Sequence, residues 1–530
     1  MAAVGERTAS GRAPDAGSVL QVWVWGLDVG SKRQMARLTL GFLVFHLLIW
    51  TVLAALSHTA PPLDNVEQLV WMQSLEWGYY KHPPFPTWWV HFWTLLLGRS
   101  MWVTFFAAQL NVVMMLFFVW RIALMVISPA RAFAAVVLTS LLIYHGVHGI
   151  MANHNTLQLM PVGLLLWLSL LAVREGAWWR WVLVGTAAAL CLLAKYTAVI
   201  WLAVIGAWML QDPRMRNARA WCGMALALAV CALLVGPHIE WLIREGFPTL
   251  NYADQAIHGQ HDTDDIDHWG RLGSFLLIQF GRALPLLMGL ALLGAMLRRA
   301  PRRLESAPLA APEWRFVVFM AVGPMLLASL AGVTGVRLGS AWAATFFVLL
   351  GVPVMRLMPA VSPRRLVKAV LIVGLLLELV LASGMAVGSG WLVDWVGRPA
   401  RSNFPAARLG KQLDEIWAAH ALVPMRVVVG ETWLAGNVSV RSVYHPMVYI
   451  DADPHKSPWI HDSMLRDCGA LIVVDRRDLA NALDPRVTDL LDRAAESGTL
   501  TLPWTGRANG PQLEVEWAVL RPERPGACPA

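Results

Sequence analysis

The side chains best suited to chemistry crowd into one stretch, Asp64-Asn65-Val66-Glu67-Gln68 followed by Gly78-Tyr79-Tyr80-Lys81-His82-Pro83-Pro84. A carboxylate with a basic pair farther along the same loop suits a general base beside a phosphate clamp. Taken singly, Asp64 also reads as a solvated residue beyond a helix end, and the prolines as a chain break. Other polar groups recur at the same level of the chain: His148, Asn153-His154-Asn155-Thr156, Lys195-Tyr196, Pro237-His238 with Trp241, and Arg337. Lys195 interrupts an apolar stretch, where an ammonium is costly unless it meets an anion or reaches the interface. Each of the others reads equally as a snorkelling or interface-anchoring side chain. Their convergence on one face is what points to a site. Glu378, in the middle of an apolar run, reads instead as a partner for a neighbouring helix.

The elements that must hold these groups are set by composition. The 530 residues are 57% apolar and only 15% charged, with a mean hydropathy of +0.52. Soluble chains carry about 25% charged residues, so this is a polytopic, all-α membrane protein. The net charge of +8 is loop charge that orients spans, not a nucleic-acid footprint. Apolar windows predict about eleven spans, near 37–57, 104–125, 130–149, 153–173, 179–194, 196–210, 219–236, 273–297, 314–333, 340–357 and 365–389. The short, Trp-rich segment 83–97 is expected to lie in the interface. Residues 1–36 read as a cytoplasmic tail with no cleaved leader.

Lys and Arg settle the orientation. Arg131, Arg174 with Arg180, Arg214 with Arg216 and Arg219, Arg298–Arg303 and Arg356–Lys368 all fall on one side, with Lys32, Arg33 and Arg37. That side is cytoplasmic. The opposite, periplasmic side collects loops 58–103 and 238–271, the hinges at Lys195 and Arg337, and everything after 390. Residues 391–530 change character: β-like runs at 425–430, 470–475 and 513–520 alternate with helical stretches at 406–420 and 485–496. A small α/β domain is expected there, beyond a transmembrane domain spanning 37–390. Cys191, Cys222 and Cys231 fall within spans and read as buried apolar residues. Cys468 and Cys528 lie where a disulfide is permitted, although Cys528 sits in a proline-rich tail.

The run His258-Gly-Gln-His261-Asp262-Thr-Asp264-Asp265-Ile-Asp267-His268 could bind a divalent metal, but it matches no specific ligand spacing and reads more simply as a flexible acidic loop; no other cofactor is indicated. There is no P-loop, dinucleotide fingerprint, H-E-x-x-H or G-x-S-x-G. Outside the inner membrane no nucleotide sugar is at hand. A transferase there needs a donor activated beforehand and carried in the lipid, and a polyprenyl phosphate sugar meets that need.

The loop DNVEQLVWMQSLEWGYYKHPPFPTWW resembles that of the bacterial family 39 glycosyltransferases, membrane enzymes of the GT-C fold. They include protein O-mannosyltransferases and the lipid A aminoarabinose transferase. ANHNTLQLMP, LLAKYTAV, GPHIEWLIREGFPTL, RLGSAWAATFF and YIDADPHKSPWI are similar to family stretches too, so the resemblance runs over about residues 37 to 475. It implies transfer from a polyprenyl-type phosphate sugar to an envelope acceptor: lipid A or lipopolysaccharide, another lipid or glycan, or a protein. Asp64 stands where the family has its essential acid. His82 stands where many members have the lysine of a K-P-P run, with Lys81 beside it. Lys195 and Tyr196 match a Lys-Tyr pair near the donor phosphate, and Arg337 falls where a basic residue precedes the late Trp-containing span. Glu67, Tyr80, His154, Asn155 and His238 are the expected substrate-binding groups.

The departures are Asn65, where relatives have a second acid, and Asn155, where several have an aspartate. The aminoarabinose transferases have arginine at Glu67 and a glutamate at Lys81 that looks like part of their metal site, so no metal is carried over. The expected reaction is an inverting, metal-independent transfer. Its competitors are a lipid-linked sugar transporter, which usually shows paired halves and broken mid-membrane helices, and an outer-face glycan polymerase or ligase.

Overall fold

The computed structural model describes residues 23–24, 27–28, 31–258, 267–298, 312–359, 361–477, 483–504 and 510–528. Among these, seven helices are long and apolar enough to cross a membrane: Lys32–Ser57, Met101–Ala123, His154–Glu175, Ala218–Arg244, His268–Leu297, Pro312–Val333 and Pro363–Val396. Three shorter apolar helices, Pro129–Ser140, Trp178–Ala194 and Ala198–Gln211, complete the bundle. The chain is therefore a multi-pass membrane protein.

Two expected spans are not continuous helices. The one read at 130–149 stops at Ser140 and continues as turns. There His145 bonds back to the Thr139 carbonyl at 2.7 Å and Gln109 reaches the carbonyls of His145 and Gly146 at 3.3 Å each. The one read at 340–357 divides into a 3-10 turn, Ser340–Thr345, and a short helix, Gly351–Leu357. Irregular backbone at membrane depth is tolerated where protein side chains satisfy it. Of the three cysteines expected to be buried in spans, Cys191 and Cys231 are, while Cys222 lies on an exposed face of its helix.

Glu378 binds the bundle together, as its mid-span position implied. Its carboxylate, fully buried, accepts hydrogen bonds from Ser140 Oγ at 2.6 Å, Trp50 Nε1 at 2.7 Å and His46 Nδ1 at 3.0 Å. Three helices meet on one side chain. Glu378→Leu leaves those donors unpaired and is expected to destabilise the protein by about 3 kcal/mol, read as an earlier unfolding transition in detergent.

The helix Phe85–Leu97 begins among prolines, Pro83, Pro84 and Pro86, and exposes Phe92, Leu95 and Leu96, which suits an interfacial segment. After residue 400 the chain forms the small α/β unit. Besides the two-residue strands β1 (Trp23–Val24) and β2 (Leu27–Asp28), there are β3 (Val427–Gly430), β4 (Met447–Ile450), β5 (Ala470–Asp475), β6 (Glu496–Pro503) and β7 (Gln512–Leu520). Their order is β4-β3-β5-β7-β6, parallel across β4-β3-β5 and antiparallel across β5-β7-β6. The helix expected at 406–420 is Ala406–His420. Cys468 and Cys528 are joined, tying the proline-rich tail back to the sheet.

The apolar core of this unit does not end at its own residues. Ala60, Val66, Val70, Trp71 and Tyr79 of the first loop are buried in the same cluster as Leu413, Trp417, Val428 and Val438. Gly436 makes the contact possible: a Cβ there would come within 2.4 Å of Val66 and 3.0 Å of Val70. The loop that carries Asp64 is thus clamped between the bundle and the α/β unit.

Candidate functional site

Asp64 occupies the first turn of the helix Leu63–Trp71, which starts after Pro61-Pro62. Half-buried, it accepts a 2.8 Å hydrogen bond from Asn153 Nδ2. Asn153 in turn caps the short helix His154–Leu157, its Oδ1 accepting from the amides of Asn155 and Thr156 at 3.0 Å each. Asn65 is structural: its amide donates to Thr104 Oγ1 and the Ile150 carbonyl and accepts from the Ala152 amide. An ionised aspartate at that position could not make the donation to the Ile150 carbonyl.

Lys195 lies in extended conformation at the hinge between two short helices. Its Nζ donates to Asn155 Oδ1 and lies 5.7 Å from the Trp342 ring centroid. One four-residue turn therefore ties both ends of the site: Asn153 holds the Asp64 carboxylate and Asn155 the Lys195 ammonium. Tyr196 Oη bonds His238 Nε2 and Thr249 Oγ1, each at 2.8 Å. His238 Nδ1 faces the Trp77 carbonyl, so Nδ1 carries the proton, Nε2 accepts from Tyr196 and the tautomer is set by these partners.

The basic pair sits on a tight turn closed by Tyr79 and His82, whose amides bond each other's carbonyls at 3.0 and 3.1 Å. Lys81 Nζ is 2.7 Å from Glu67 Oε1 and 5.2 Å from the Tyr80 ring centroid. Lys456 of the α/β unit approaches the same ring at 5.9 Å. His82 lies against His154, ring centroids 3.7 Å apart, with Tyr252 edge-on at 5.4 Å.

Burial pushes the Glu67 carboxyl up to about 7, against the opposing pull of Lys81. Lys81 is itself disfavoured by burial, but Glu67 and Tyr80 outweigh that and raise it. Burial holds His82 well below its ordinary value, with Lys195 and Lys81 adding to the effect. His82 is thus a neutral imidazole at pH 7 and not the cation of a basic pair, as the sequence had implied. Burial also lowers Lys195 to about 7, with Asp64 as the counter-charge that limits the fall.

Two cavities flank this core. The larger, about 580 Å³, has Lys81, His82, Lys195, Tyr196, Tyr252 and Trp342 at its polar head. Its body is apolar, formed by Val199, Ile200, Leu327, Leu330, Ala331 and Leu338. The shape is that of a slot for an amphiphile: a tail among helices and an anion at the top. The other, about 470 Å³, is lined by Asp64 with His58, Met151, Ser389, Arg398, Arg401 and Ser402.

Of the residues singled out in the sequence, Lys81, His82, Lys195 and Tyr196 line the larger cavity. Glu67, Tyr80, His154, Asn155 and His238 support them from behind. Asp64 lies across the 153–156 turn. Arg337 is not part of this group: it is exposed, and its neighbours Val336 and Leu338 face the cavity instead. The sequence did not single out Tyr252, Trp342, Arg398, Arg401 and Lys456. Trp342 lies in RLGSAWAATFF, a stretch already noticeable, and Lys456 in YIDADPHKSPWI. The described residues contain no group of three or more His, Cys, Asp or Glu able to hold a metal, and 259–266 of the histidine- and aspartate-rich run lie outside them.

Residues 81–241 match the family described as dolichyl-phosphate-mannose-protein mannosyltransferase. The lipopolysaccharide core galacturonosyltransferase RgtA of Rhizobium johnstonii is 24% identical over 87% of this chain and 93% of its own length. The lipid A galacturonosyltransferase RgtD of the same organism is 23% identical over 60% of this chain and 64% of its own. Among solved structures, ArnT from Cupriavidus metallidurans in the apo state superimposes with a TM-score of 0.51 at 15% identity, covering 90% of this chain and 98% of that one. A second structure of it, bound to undecaprenyl phosphate, gives the same TM-score and identity, covering 90% and 97%.

Proposed function

We propose that this chain, a family 39-like membrane glycosyltransferase of the GT-C fold, moves a sugar from a polyprenyl phosphate to an acceptor in the bacterial envelope. The observation that carries the reading is the 153–156 turn, which joins a carboxylate on one cavity to an ammonium on the other. In this reading the polyprenyl chain lies in the apolar slot with its phosphate under Lys195, and Lys81 and His82 close the head. An acceptor oxygen enters from the Asp64 side and attacks the anomeric carbon as the bond to the phosphate oxygen breaks. The leaving phosphate goes from one negative charge toward two, which Lys195 and Lys81 offset while His82 donates a neutral hydrogen bond. Asp64 receives the proton of an acceptor hydroxyl. For a phosphate acceptor no base is needed, and Asp64 orients it.

The reading includes an inner-membrane location with the site on the periplasmic face. Two independent features support that side. Arginines at 131, 174, 180, 214 and 356 lie on connections opposite to those of the site, and the Cys468–Cys528 bridge lies on the site's side, as suits an oxidising compartment. The similarity to lipopolysaccharide and lipid A transferases supports an envelope glycolipid among the possible acceptors.

The test is mass spectrometry of envelope lipids, lipopolysaccharide and polyprenyl phosphates from a deletion strain beside its parent. The expected result is one sugar missing from one acceptor, with its polyprenyl phosphate form accumulating. Unchanged envelope glycans with a lipid-linked intermediate stranded on the cytoplasmic side would overturn the reading in favour of a transporter.

A further inference from the structure

The span His268–Leu297 carries an arginine, Arg282, about 20 Å along its axis from the outer end. A cation at that depth is costly, and one that is kept there faces the bundle and marks a functional role. Among the described residues Arg282 has no carboxylate within ion-pair distance. Its partners are neutral, and they converge on one residue. Nη1 donates to the Ser340 carbonyl and, at 2.5 Å, to Tyr144 Oη, while Nη2 donates to Ser340 Oγ at 3.3 Å. Gln279, buried, donates through Nε2 to the same carbonyl at 3.1 Å. Tyr144 Oη has one proton to share between that carbonyl at 2.8 Å and Gln279 Oε1 at 2.5 Å. Three side chains thus meet on one carbonyl oxygen.

That oxygen begins the 3-10 turn Ser340–Thr345. The far end of the turn is held as well, by Trp201 Nε1 donating to Thr345 Oγ1 at 2.9 Å. Trp342 stands between the two anchors. Its indole folds back over Gly339, where a Cβ would come within 2.6 Å of Nε1, so the ring is packed against backbone on one side. Its centroid lies 5.7 Å from Lys195 Nζ at the head of the larger cavity. An indole there attracts the ammonium and keeps water from it. Lys195 has one proton on Asn155 Oδ1 and one side against Trp342. What remains of its three donors points where an anion can meet it. Arg282 itself does not line that cavity.

We propose that Arg282 is a positioning residue for the head of the slot: through the Ser340 carbonyl it sets Trp342 against Lys195 and so aims the ammonium at the lipid phosphate. The inference rests on the donor slot proposed above and adds the group that orders its head. An arginine that only braced the bundle would support the slot's tail and head alike. One acting through Trp342 affects only the recognition of the anion.

The test titrates the full-length protein in phosphatidylcholine nanodiscs with undecaprenyl phosphate and with undecaprenol, which has the same tail and no anion. The wild type is expected to prefer the phosphate. Arg282→Met is expected to cut that preference about tenfold while undecaprenol binds as before. Arg282→Lys, which keeps the charge and a donor, is expected to keep most of it. Trp342→Leu is expected to cut the preference as far as Arg282→Met does, and R282M/W342L no further than Trp342→Leu alone. An intact preference in Arg282→Met, or equal losses for the two lipids, overturns the role at the head. Losses that multiply in the double variant overturn the route through Trp342. Tyr144→Phe removes one donor from the Ser340 carbonyl at nearly unchanged volume and is expected to cut the preference about threefold. Should Arg282→Met bind neither lipid, an unchanged preference in Tyr144→Phe overturns the proposal by itself. A wild type that binds undecaprenol as tightly as the phosphate overturns the donor slot, and the role of Arg282 with it.

Discussion

Asp64→Asn is expected to lower glycosyl transfer about 10³-fold, far more than it changes undecaprenyl phosphate affinity. The substitution keeps the size of the side chain, and an amide turned oxygen-outward still accepts from Asn153 Nδ2. What it removes is the site for a proton and the negative charge that faces Lys195. Single-turnover measurement with a defined acceptor and separate donor-binding titration split the two effects. A loss confined to turnover supports the base; near-wild-type turnover removes it. With a phosphate acceptor, the same variant is expected to lose much less, because no hydroxyl proton must leave. The ratio of the two losses tells whether Asp64 removes a proton or only orients the acceptor.

Lys195→Ala is expected to reduce turnover by about 10²- to 10³-fold, the typical loss of one charge-stabilising donor at a developing anion. Its pH behaviour is more diagnostic than its size. With Lys195 lowered to about 7 by burial in the empty protein, below pH 7 the ammonium is already charged when the donor arrives. An anion raises that pKa, so above pH 7 binding takes up a proton. Donor affinity then falls by up to tenfold per pH unit until the pKa of the bound state is reached. Lys195→Arg stays charged throughout and is expected to flatten the slope. Glu67 titrates in the same window beside Lys81, so Glu67→Gln is the companion variant that isolates its share. A slope unchanged in Lys195→Arg and abolished in Glu67→Gln would assign the titration to Glu67.

Much of this site is legible in the sequence because membrane spans make charge conspicuous. Lys195 and Asp64 stand out against apolar neighbours, and the alternation of arginine-bearing connections is enough to put them on one side. The α/β unit is legible in strands β3, β5 and β7 and in Ala406–His420, whose amphipathic spacing is strong, while the short strand β4 is not legible. Strand β6 is not, because Glu496–Pro503 is a half-exposed edge strand whose serine, glycine and threonines read as a turn. The breaks at Ser140 and within 340–357 are hidden as well: apolar runs continue through them, and only tertiary partners such as Gln109 show that the helix need not. Arg337 misleads because a basic residue after a span faces the site or the solvent with equal propriety.

The sharing of one apolar cluster between residues 60–79 and the sheet has a consequence for how the protein comes to be made. The surface that the segment bearing Asp64 must pack against, centred on Gly436, is synthesised more than 350 residues after that segment. Until then Val66, Val70 and Trp71 have no partner on that side. Contacts so distant in sequence form late. The nascent chain thus lacks that packing through most of its insertion, and a chain truncated by premature termination is left without the surface that the Asp64-bearing loop packs against, however well its spans are seated in the bilayer.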